Sequence, residues 1–161
     1  DMYAATQEIC NDMGMPSYEV SNHARDGAQS RHNLIYWRYG DYLGIGPGAH
    51  GRLTQSGNRF ATECFSNPKR WLDAAASGET ERPREQLTKA DQASEFLMMG
   101  LRLKEGVNLD RYEALAGSPL STKKIIRMQD IGMISCVGHR LNVTKQGFMV
   151  LNSILAELLT D

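Results

Sequence analysis

The densest set of side chains that could do chemistry lies in a short stretch near residue 35. His32 and Asn33 are followed, after two residues, by Tyr36 and Trp37. An imidazole nitrogen can ligate haem iron, and flat aromatic faces pack against a macrocycle. In the ordinary structural interpretation, His32 hydrogen-bonds a loop while Tyr36 and Trp37 fill a core. The residues by themselves leave both roles open.

A second candidate is the glycine-rich stretch 44–51, in which Gly46, Gly48 and Gly51 match the GxGxxG pattern of dinucleotide-binding folds. That pattern must lead into a helix whose N-terminus faces a pyrophosphate. The next residues along the chain have no apolar helical stripe, and no acidic residue ends a second strand about 20 positions later. The dinucleotide interpretation therefore fails, and a backbone turn that a flat ligand could approach closely remains.

The other histidines carry weaker signals. His50 could be a ligand, a general base or a loop residue, and His139 is expected at a solvated hairpin tip. His23 could face a site or a neighbouring domain. The sequence does not choose among these roles.

Three cysteines, Cys10, Cys64 and Cys136, lie far apart in the sequence. No CxxxCxxC or CxxC cluster motif exists in this chain. A scattered, odd set argues against a disulfide framework and favours a reducing cytoplasm. The sequence contains no run of about 18 apolar residues, so it predicts no transmembrane segment. Peripheral membrane contact stays open.

The formal net charge of −1 over 161 residues is evenly spread, which disfavours a polyanion-binding surface. Lys123, Lys124 and Arg127 lie where a winged helix would present its recognition helix. Three basic residues on one helix more often form a solvated face. We therefore expect no nucleic-acid partner, and keep a winged-helix nucleic-acid binder as a lesser alternative.

The elements expected to position the two candidate stretches are an α/β fragment. Residues 2–13 have helical spacing of apolar side chains, and residues 17–22 and 41–45 have the pattern of strands. A loose hairpin is predicted around residues 56–58, and a helix from Pro68 to Gly78. Two strands cannot form a buried parallel sheet, so their neighbours are expected upstream of residue 1. The charged, proline-containing segment 79–86 predicts a linker.

The second part of the chain predicts helix–helix–helix–hairpin–helix, the order of a winged-helix domain. Thr88 with Asp91 forms a capping box, the first three helices end at Gly106, Gly117 and Gly132, and Thr144 caps the last helix. A hairpin turns at residues 138–139. The predicted core consists of Phe96, Leu101, Leu115, Phe148, Leu151 and Leu155.

Three ordered motifs resemble the HemW family, radical-SAM relatives of oxygen-independent coproporphyrinogen III oxidase. Their sequences are YEVSNHAR at residues 18–25, HNLIYW at 32–37 and GDYLGIGPGAHG at 40–51. The remainder, from residue 87 onward, looks like the family's C-terminal domain. The resemblance covers essentially residues 1–161.

The resemblance implies an α+β fold, made of the C-terminal edge of a radical-SAM α/β barrel of partial TIM type followed by a winged-helix-like, mostly helical domain. The implied domains are 1–64, barrel elements with the glycine-rich loop; 65–86, a helix and charged linker; and 87–161, the winged-helix-like domain. Most of the barrel is absent from this sequence.

The resemblance also implies site residues. The family's haem-associated motif maps onto His32, Asn33, Tyr36 and Trp37, with His32 as the hypothetical ligand of the haem iron. The loop containing Gly46, Gly48 and Ala49 resembles one near S-adenosyl-L-methionine in related oxidases, with Ala49 against the adenine. No catalytic residue is implied within this chain.

The function implied is that of a cytoplasmic haem chaperone that delivers haem to respiratory proteins. The alternative is the same portion of an oxygen-independent coproporphyrinogen III oxidase of porphyrin biosynthesis. A 4Fe-4S cluster and S-adenosyl-L-methionine are implied for the full-length parent only, and the missing N-terminal barrel is an expected partner. Because CxxxCxxC is absent here, we expect this chain alone to be inactive as a radical-SAM enzyme.

Overall fold

The computed structural model describes residues 2–160. In chain order the elements are α1 (Met2–Asp12), α2 (Arg31–Trp37), β1 (His50–Gln55), β2 (Asn58–Glu63), α3 (Pro68–Ala75), β3 (Glu85–Gln86), α4 (Lys89–Gly100), β4 (Val107–Asn108), α5 (Leu109–Ala116), α6 (Thr122–Asp130), β5 (Ile134–Val137), β6 (Arg140–Val143), a 3-10 helix (Gly147–Val150) and α7 (Leu151–Leu159). The fold is mixed α/β, with two small antiparallel sheets.

The chain divides into two compact units. One, which we call the split unit, joins residues 1–39 to residues 93–161, and the other, the hairpin unit, holds residues 40–92. These units cut across the predicted division into 1–64, 65–86 and 87–161. The first segment joins the C-terminal region because Tyr39, 4% exposed, lies in its core and meets Phe96 edge to face.

The split unit is built around a three-stranded sheet of order β4-β6-β5, with β6 in the centre. The buried members of its core are Tyr39, Phe96, Leu97, Leu101, Val107, Leu120, Ile125, Met128, Ile134, Leu141, Val143, Leu151, Ile154, Leu155 and Leu158. Leu115 and Phe148 are partly buried against them. The predicted core is therefore confirmed. Strand β4 was not predicted, because a strand of only two residues has no recognisable sequence pattern.

Local capping chemistry fixes several ends of the later elements as predicted, although α4 ends at Gly100 and not at the predicted Gly106. The backbone N–H of Asp91 donates to Thr88 Oγ1 at 3.1 Å, and that of Thr88 donates to the Asp91 carboxylate at 3.1 Å. Gly117 ends α5 in the left-handed conformation, with φ of 79°. Thr144 Oγ1 accepts from the N–H of Gly147 at 3.0 Å, at the start of the terminal helical segment.

The predicted strand at 17–22 is wrong. Ser17 makes an isolated bridge with His23, and the N–H of Tyr18 donates to Asn22 O at 3.1 Å, so the chain folds back on itself. The cause is Glu19, whose buried carboxylate accepts from the N–H of Ser21 at 3.0 Å and closes a tight loop.

The predicted strand at 41–45 is also wrong, because this segment pairs at one residue only. Tyr42 exchanges two backbone hydrogen bonds with Arg52, of 2.8 and 2.9 Å, while Leu43 and Ile45 stay 64% and 83% exposed. No second partner strand lies beside it among residues 2–160. Glycines at 44 and 46 then lead the chain into a loop.

The hairpin unit contains the predicted hairpin. Strands β1 and β2 pair from His50↔Glu63 to Gln55↔Asn58, and both Ser56 (φ 50°) and Gly57 (φ 79°) are left-handed, as a two-residue hairpin turn requires. Helix α3 begins at Pro68 as predicted and ends at Ala75, three residues before the predicted Gly78, and its Leu72 is 66% exposed.

The segment 79–86, predicted to be a linker, pairs with this hairpin. Glu81 makes a bridge with Cys64, and strand β3 pairs with β2 through Phe60↔Gln86 and Ala61↔Glu85. The segment closes the three-stranded sheet of the hairpin unit. Its charged side chains are compatible with this because β3 is an exposed edge strand.

Within residues 2–160, every helix is too short or too polar to cross a membrane.

Candidate functional site

The motif at residues 32–37 lies on α2, a helix of two turns. Ser30 caps it, its Oγ accepting from the N–H of Asn33 at 3.3 Å. Side chains four residues apart share a face of a helix, so the motif separates into two pairs: His32 with Tyr36, and Asn33 with Trp37. Each pair has its own surroundings.

His32 and Tyr36 form the outer pair. His32 is exposed and Tyr36 half-buried. The Tyr36 hydroxyl lies 3.3 Å from His32 Nε2, and the rings meet edge to face with centroids 4.8 Å apart and an interplanar angle of 68°. The imidazole is thus oriented by a neighbour while it stays open to solvent.

Asn33 and Trp37 form the inner pair. The side-chain amide of Asn33 donates to Tyr18 Oη at 3.3 Å, which ties α2 to the loop at residues 17–23. Trp37 is half-buried, and the Arg102 guanidinium lies 5.7 Å from its ring centroid. The Trp37 Nε1 is buried and has no hydrogen-bond partner among the described residues.

The structure therefore does not bring Tyr36 and Trp37 together as one wall. Adjacent residues of an α-helix point about 100° apart, and here one ring stands beside His32 while the other packs inward. Of the four predicted residues, His32 is the exposed one, and Asn33, Tyr36 and Trp37 are half-buried.

The C-terminal end of α2 is held by residues far away in the sequence. Arg111 donates to the carbonyls of Arg38 and Tyr39 at 2.9 and 3.2 Å, satisfying acceptors that a helix end leaves unpaired. Arg38 makes a bidentate pair with Glu105, at 2.8 and 2.7 Å. Hydrogen bonding from Arg38 lowers the pKa of Glu105, and the same pair raises the pKa of Arg38.

These supporting residues carry no signal in the sequence. Arg111 and Glu105 lie 73 and 67 positions from Arg38, and no motif connects them. Only the packing of the first segment on the C-terminal region brings them to α2.

The glycine-rich loop belongs to the hairpin unit and is fixed by backbone hydrogen bonds. The N–H of Gly48 donates to Phe65 O at 3.0 Å, and Ala49 O accepts from the N–H of Cys64 at 2.8 Å. Gly46 has a φ of 114°, which side-chain-bearing residues rarely adopt. A Cβ at Gly51 would lie 2.5 Å from Thr62 Oγ1, so the loop depends on glycine at this position too.

The glycine-rich loop leads into strand β1, which begins at His50, and not into a helix. A dinucleotide fingerprint needs a helix at this point, so its rejection is confirmed. Gly46, Gly48 and Ala49 form a rigid turn whose backbone a ligand could approach.

The remaining histidines differ in their surroundings. His50 is exposed at the start of β1. His139 is 72% exposed, but its Nδ1 pairs with the Asp110 carboxylate at 2.6 Å. His23 Nε2 is buried without a partner among the described residues.

The cysteines Cys10, Cys64 and Cys136 are free thiols. Within residues 2–160, no three His, Cys, Asp or Glu side chains converge as metal ligands would. The part of the chain that the structure describes therefore offers single donors, such as His32, rather than a metal-binding cluster.

Comparisons with known proteins support a common origin for the whole chain. A family model described as the HemN C-terminal domain matches residues 87–150. The mitochondrial radical S-adenosyl methionine domain-containing protein 1 of Bos taurus is 32% identical over 171 residues, covering 99% of this chain and 39% of that protein. The heme chaperone HemW of Haemophilus influenzae is 32% identical over 166 residues, covering 100% of this chain and 42% of that protein.

Among solved structures, coproporphyrinogen III oxidase (HemN) from Escherichia coli, a radical SAM enzyme, has the same fold. The TM-score is 0.68 at 14% identity, over 98% of this chain and 40% of that one. At this identity the likeness shows the fold alone.

The matched domain and the sequence relatives define the class: a region of the HemN C-terminal type, similar to part of radical-SAM domain-containing proteins. Within that class the chain belongs to the HemW family, of which it represents a C-terminal portion. It spans about two fifths of the length of the curated relatives it matches.

Proposed function

We propose that the full-length protein is a cytoplasmic haem chaperone that binds haem through His32 and delivers it to respiratory proteins. The observation that carries the proposal is the exposed imidazole of His32, oriented by Tyr36 on a capped helix, in a chain 32% identical to a heme chaperone HemW. Haem is the cargo here, and a neutral imidazole is an apt ligand for its iron.

The residues of α2 would contribute in different ways. His32 Nε2 has a single long hydrogen bond, to Tyr36, which iron ligation could replace at little cost. Tyr36 would then offer its ring edge to the macrocycle, while Asn33 and Trp37 keep α2 fixed on the split unit. A fixed helix with an exposed ligand suits a carrier, since haem must be able to leave again.

We further propose that Gly46, Gly48 and Ala49 approach S-adenosyl-L-methionine in the full-length protein. The shape of this loop is compatible with such a role, because its backbone is held by Cys64 and Phe65 and a Cβ built on Gly46 would meet no atom within 4 Å. A 4Fe-4S cluster would be held by the part of the protein upstream of this chain, and would supply the electron of radical chemistry when bound.

Two finer points of architecture belong with this proposal. The order α4-β4-α5-α6-β5-β6 supports a winged-helix-like C-terminal domain. The first 64 residues would add to a radical-SAM barrel formed upstream, which would be the first partner of this region.

The alternative is a coproporphyrinogen III oxidase, favoured by the matched HemN C-terminal domain and the common fold. The two functions differ in what the protein does to its tetrapyrrole. An oxidase decarboxylates coproporphyrinogen III, whereas a chaperone binds haem and releases it unchanged. Product analysis of the full-length protein with coproporphyrinogen III separates them.

The test of the chaperone proposal is haem titration of the full-length protein, followed by the Soret band. His32→Ala should shift or abolish that band and weaken haem binding about tenfold or more, because an iron–imidazole bond is lost. His139→Ala is a matched control, since it removes another exposed histidine, one that pairs with Asp110.

Circular dichroism and the melting temperature establish that the variants are folded. A structural role for His32 would give the opposite pattern: a lower melting temperature with haem spectrum and affinity intact. Unaltered spectra in a folded His32→Ala protein would contradict the ligand assignment and leave the family membership standing.

A further inference from the structure

The split unit contains a groove that neither candidate stretch uses. Its volume is about 630 Å³. One wall is the face of α1 that carries Tyr3, Ala4, Gln7 and Asn11. The other wall comes from the C-terminal region: Lys104, Val143, Lys145, Gln146, Phe148 and Met149. We call this the lysine groove.

The charge of the lysine groove is one-sided. Lys104 and Lys145 are its ionisable lysines, and no Asp or Glu is among its lining residues. Within residues 2–160 neither ammonium makes an ion pair. Burial lowers the pKa of Lys104, and the positive charge of Lys145 lowers it further. The two like charges are therefore close enough to interact, and an anion between them would stabilise both.

Both lysines stand on fixed backbone. The N–H of Lys104 donates to Tyr18 O at 3.1 Å, and its carbonyl accepts from the Asn142 side chain at 2.8 Å. Lys145 follows Thr144, whose N–H donates to Met133 O at 3.0 Å. The α1 wall is tied to the same unit, since Ser17 Oγ donates to Gln7 Oε1 at 2.6 Å. The separation of the two lysine backbones is thus set by the fold.

The rest of the lining suits an apolar body. Phe148 is half-buried and Met149 is 61% exposed, so both side chains offer apolar surface to the groove. Methionine adapts its shape to irregular ligands, and aromatic rings prefer flat partners. A groove of this volume is within the roughly 300–1,000 Å³ typical of small-molecule sites.

We propose that the lysine groove binds a small amphipathic anion, with a carboxylate between Lys104 and Lys145 and a flat apolar body against Phe148 and Met149. The proposal does not depend on His32 or on the chaperone function. The expected ligand is a small molecule rather than a protein segment, because two lysines beside the apolar side chains of Phe148 and Met149 match an acid with a compact apolar body.

The test uses the full-length protein and 1-naphthaleneacetate, with its uncharged amide as the matched ligand, by isothermal titration calorimetry. The acid should bind and the amide should bind at least about tenfold more weakly, since a charge-assisted hydrogen bond is lost. Lys104→Met and Lys145→Met remove the charge and keep most of the length of the side chain. Each should weaken binding of the acid by about tenfold. Lys123→Met, an exposed lysine of α6 outside the groove, should leave binding unchanged.

A carboxylate could come from a free acid or from a haem propionate, and haem titration of the same variants separates these sources. Weaker haem binding in Lys104→Met and Lys145→Met would identify the propionate, and unchanged haem binding would identify a separate acid. Melting temperatures show whether the variants are folded. The proposal is overturned if the acid does not bind, if acid and amide bind equally, or if folded lysine variants bind the acid as the wild type does.

Discussion

At the scale of single residues, the chemistry of α2 depends on how its four motif side chains are shared between solvent and core. The exposed imidazole of His32 is restrained by one hydrogen bond to Tyr36, at 3.3 Å. Trp37 packs inward beneath Arg102. A single sequence motif therefore combines a ligand-like pair with a pair that anchors the helix.

The Tyr36→Phe substitution tests this division. It removes the hydroxyl that, under the proposed function, would compete with iron for His32 Nε2, and it keeps the ring that lies beside the imidazole. Because a hydrogen bond of this kind contributes about 0.5–1.5 kcal/mol, haem affinity should stay equal or rise by up to about tenfold, with an unchanged Soret band. Loss of the band in the folded variant would instead identify the hydroxyl itself as part of the iron site.

At the scale of elements, the segment 40–45 is fixed by side-chain chemistry together with a single backbone bridge from Tyr42 to Arg52. The Asp41 carboxylate accepts from the N–H and the hydroxyl of Thr54 at 2.6 and 2.9 Å, and from Arg59 at 2.7 Å. Arg59 is 7% exposed and also donates to Gly40 O at 2.9 Å. This network attaches the segment 40–45, which leads into the glycine-rich loop, to the hairpin β1–β2.

Acid should weaken this attachment. Burial alone would raise the pKa of Asp41, but the hydrogen bonds from Thr54 and the charge of Arg59 outweigh it and lower the pKa below its ordinary value. A lowered folded-state pKa gives stability that is present at neutral pH and is lost as pH falls through that pKa, below about pH 4. Since the Asp41 side chain is 42% exposed, solvent screening limits the effect to about 1 kcal/mol.

The measurement is the melting temperature of wild type and Asp41→Asn between pH 7 and pH 3. The variant should be less stable at pH 7, and the difference should shrink at acid pH, where the wild-type carboxylate becomes protonated. Asp73→Asn, in an exposed i,i+4 pair with Lys69, should show little difference at any pH. A difference for Asp41→Asn that stays constant with pH would contradict the electrostatic explanation.

The sequence predicts the elements that local chemistry determines. The capping box at Thr88, the left-handed glycine after α5 and the turn at Ser56 and Gly57 act within a few residues, and each is present in the structure. The segments 17–22 and 41–45 have strand-like alternation, but strands need partners, which the sequence of a segment cannot supply. Their real structure depends on Glu19 and Arg59, whose burial becomes visible only in the fold.

At the candidate site, too, the sequence predicts what a contiguous motif determines and not the contacts between distant segments. The proposal that His32 ligates haem iron comes from residue types and from the family resemblance, because both are properties of a contiguous motif, and it stays a prediction. The separation of Tyr36 from Trp37 results from the turn of α2, and the anchors Arg111 and Glu105 result from packing between distant segments. The lysine groove could not be predicted because its two lysines lie 41 positions apart.

At the scale of the whole molecule, the split unit is assembled from two separate stretches of chain, 1–39 and 93–161. One residue that joins them is Tyr39, which is 4% exposed and adopts a left-handed φ of 57° just after the C-cap of α2. Glycine is the usual residue for such a helix end, because a side chain there costs roughly 1–2 kcal/mol. Here the cost is offset, since the ring reaches Phe96 and the hydroxyl donates to Glu95 at 3.1 Å.

Tyr39→Ala should therefore loosen the split unit as a whole. The variant keeps the unfavourable backbone conformation and loses the buried ring, so the free energy of unfolding should fall by about 3–5 kcal/mol, as for other large aromatic truncations. Hydrogen–deuterium exchange should accelerate at the amides of Phe96, Leu97 and Leu101, which share the core with Tyr39. Tyr39→Phe keeps the ring and should cost only about 0.5–1.5 kcal/mol, the contribution of one hydrogen bond. If exchange at α4 is the same in wild type and Tyr39→Ala, the N-terminal stretch does not share the core of the C-terminal region, and the residues around His32 must be positioned in another way.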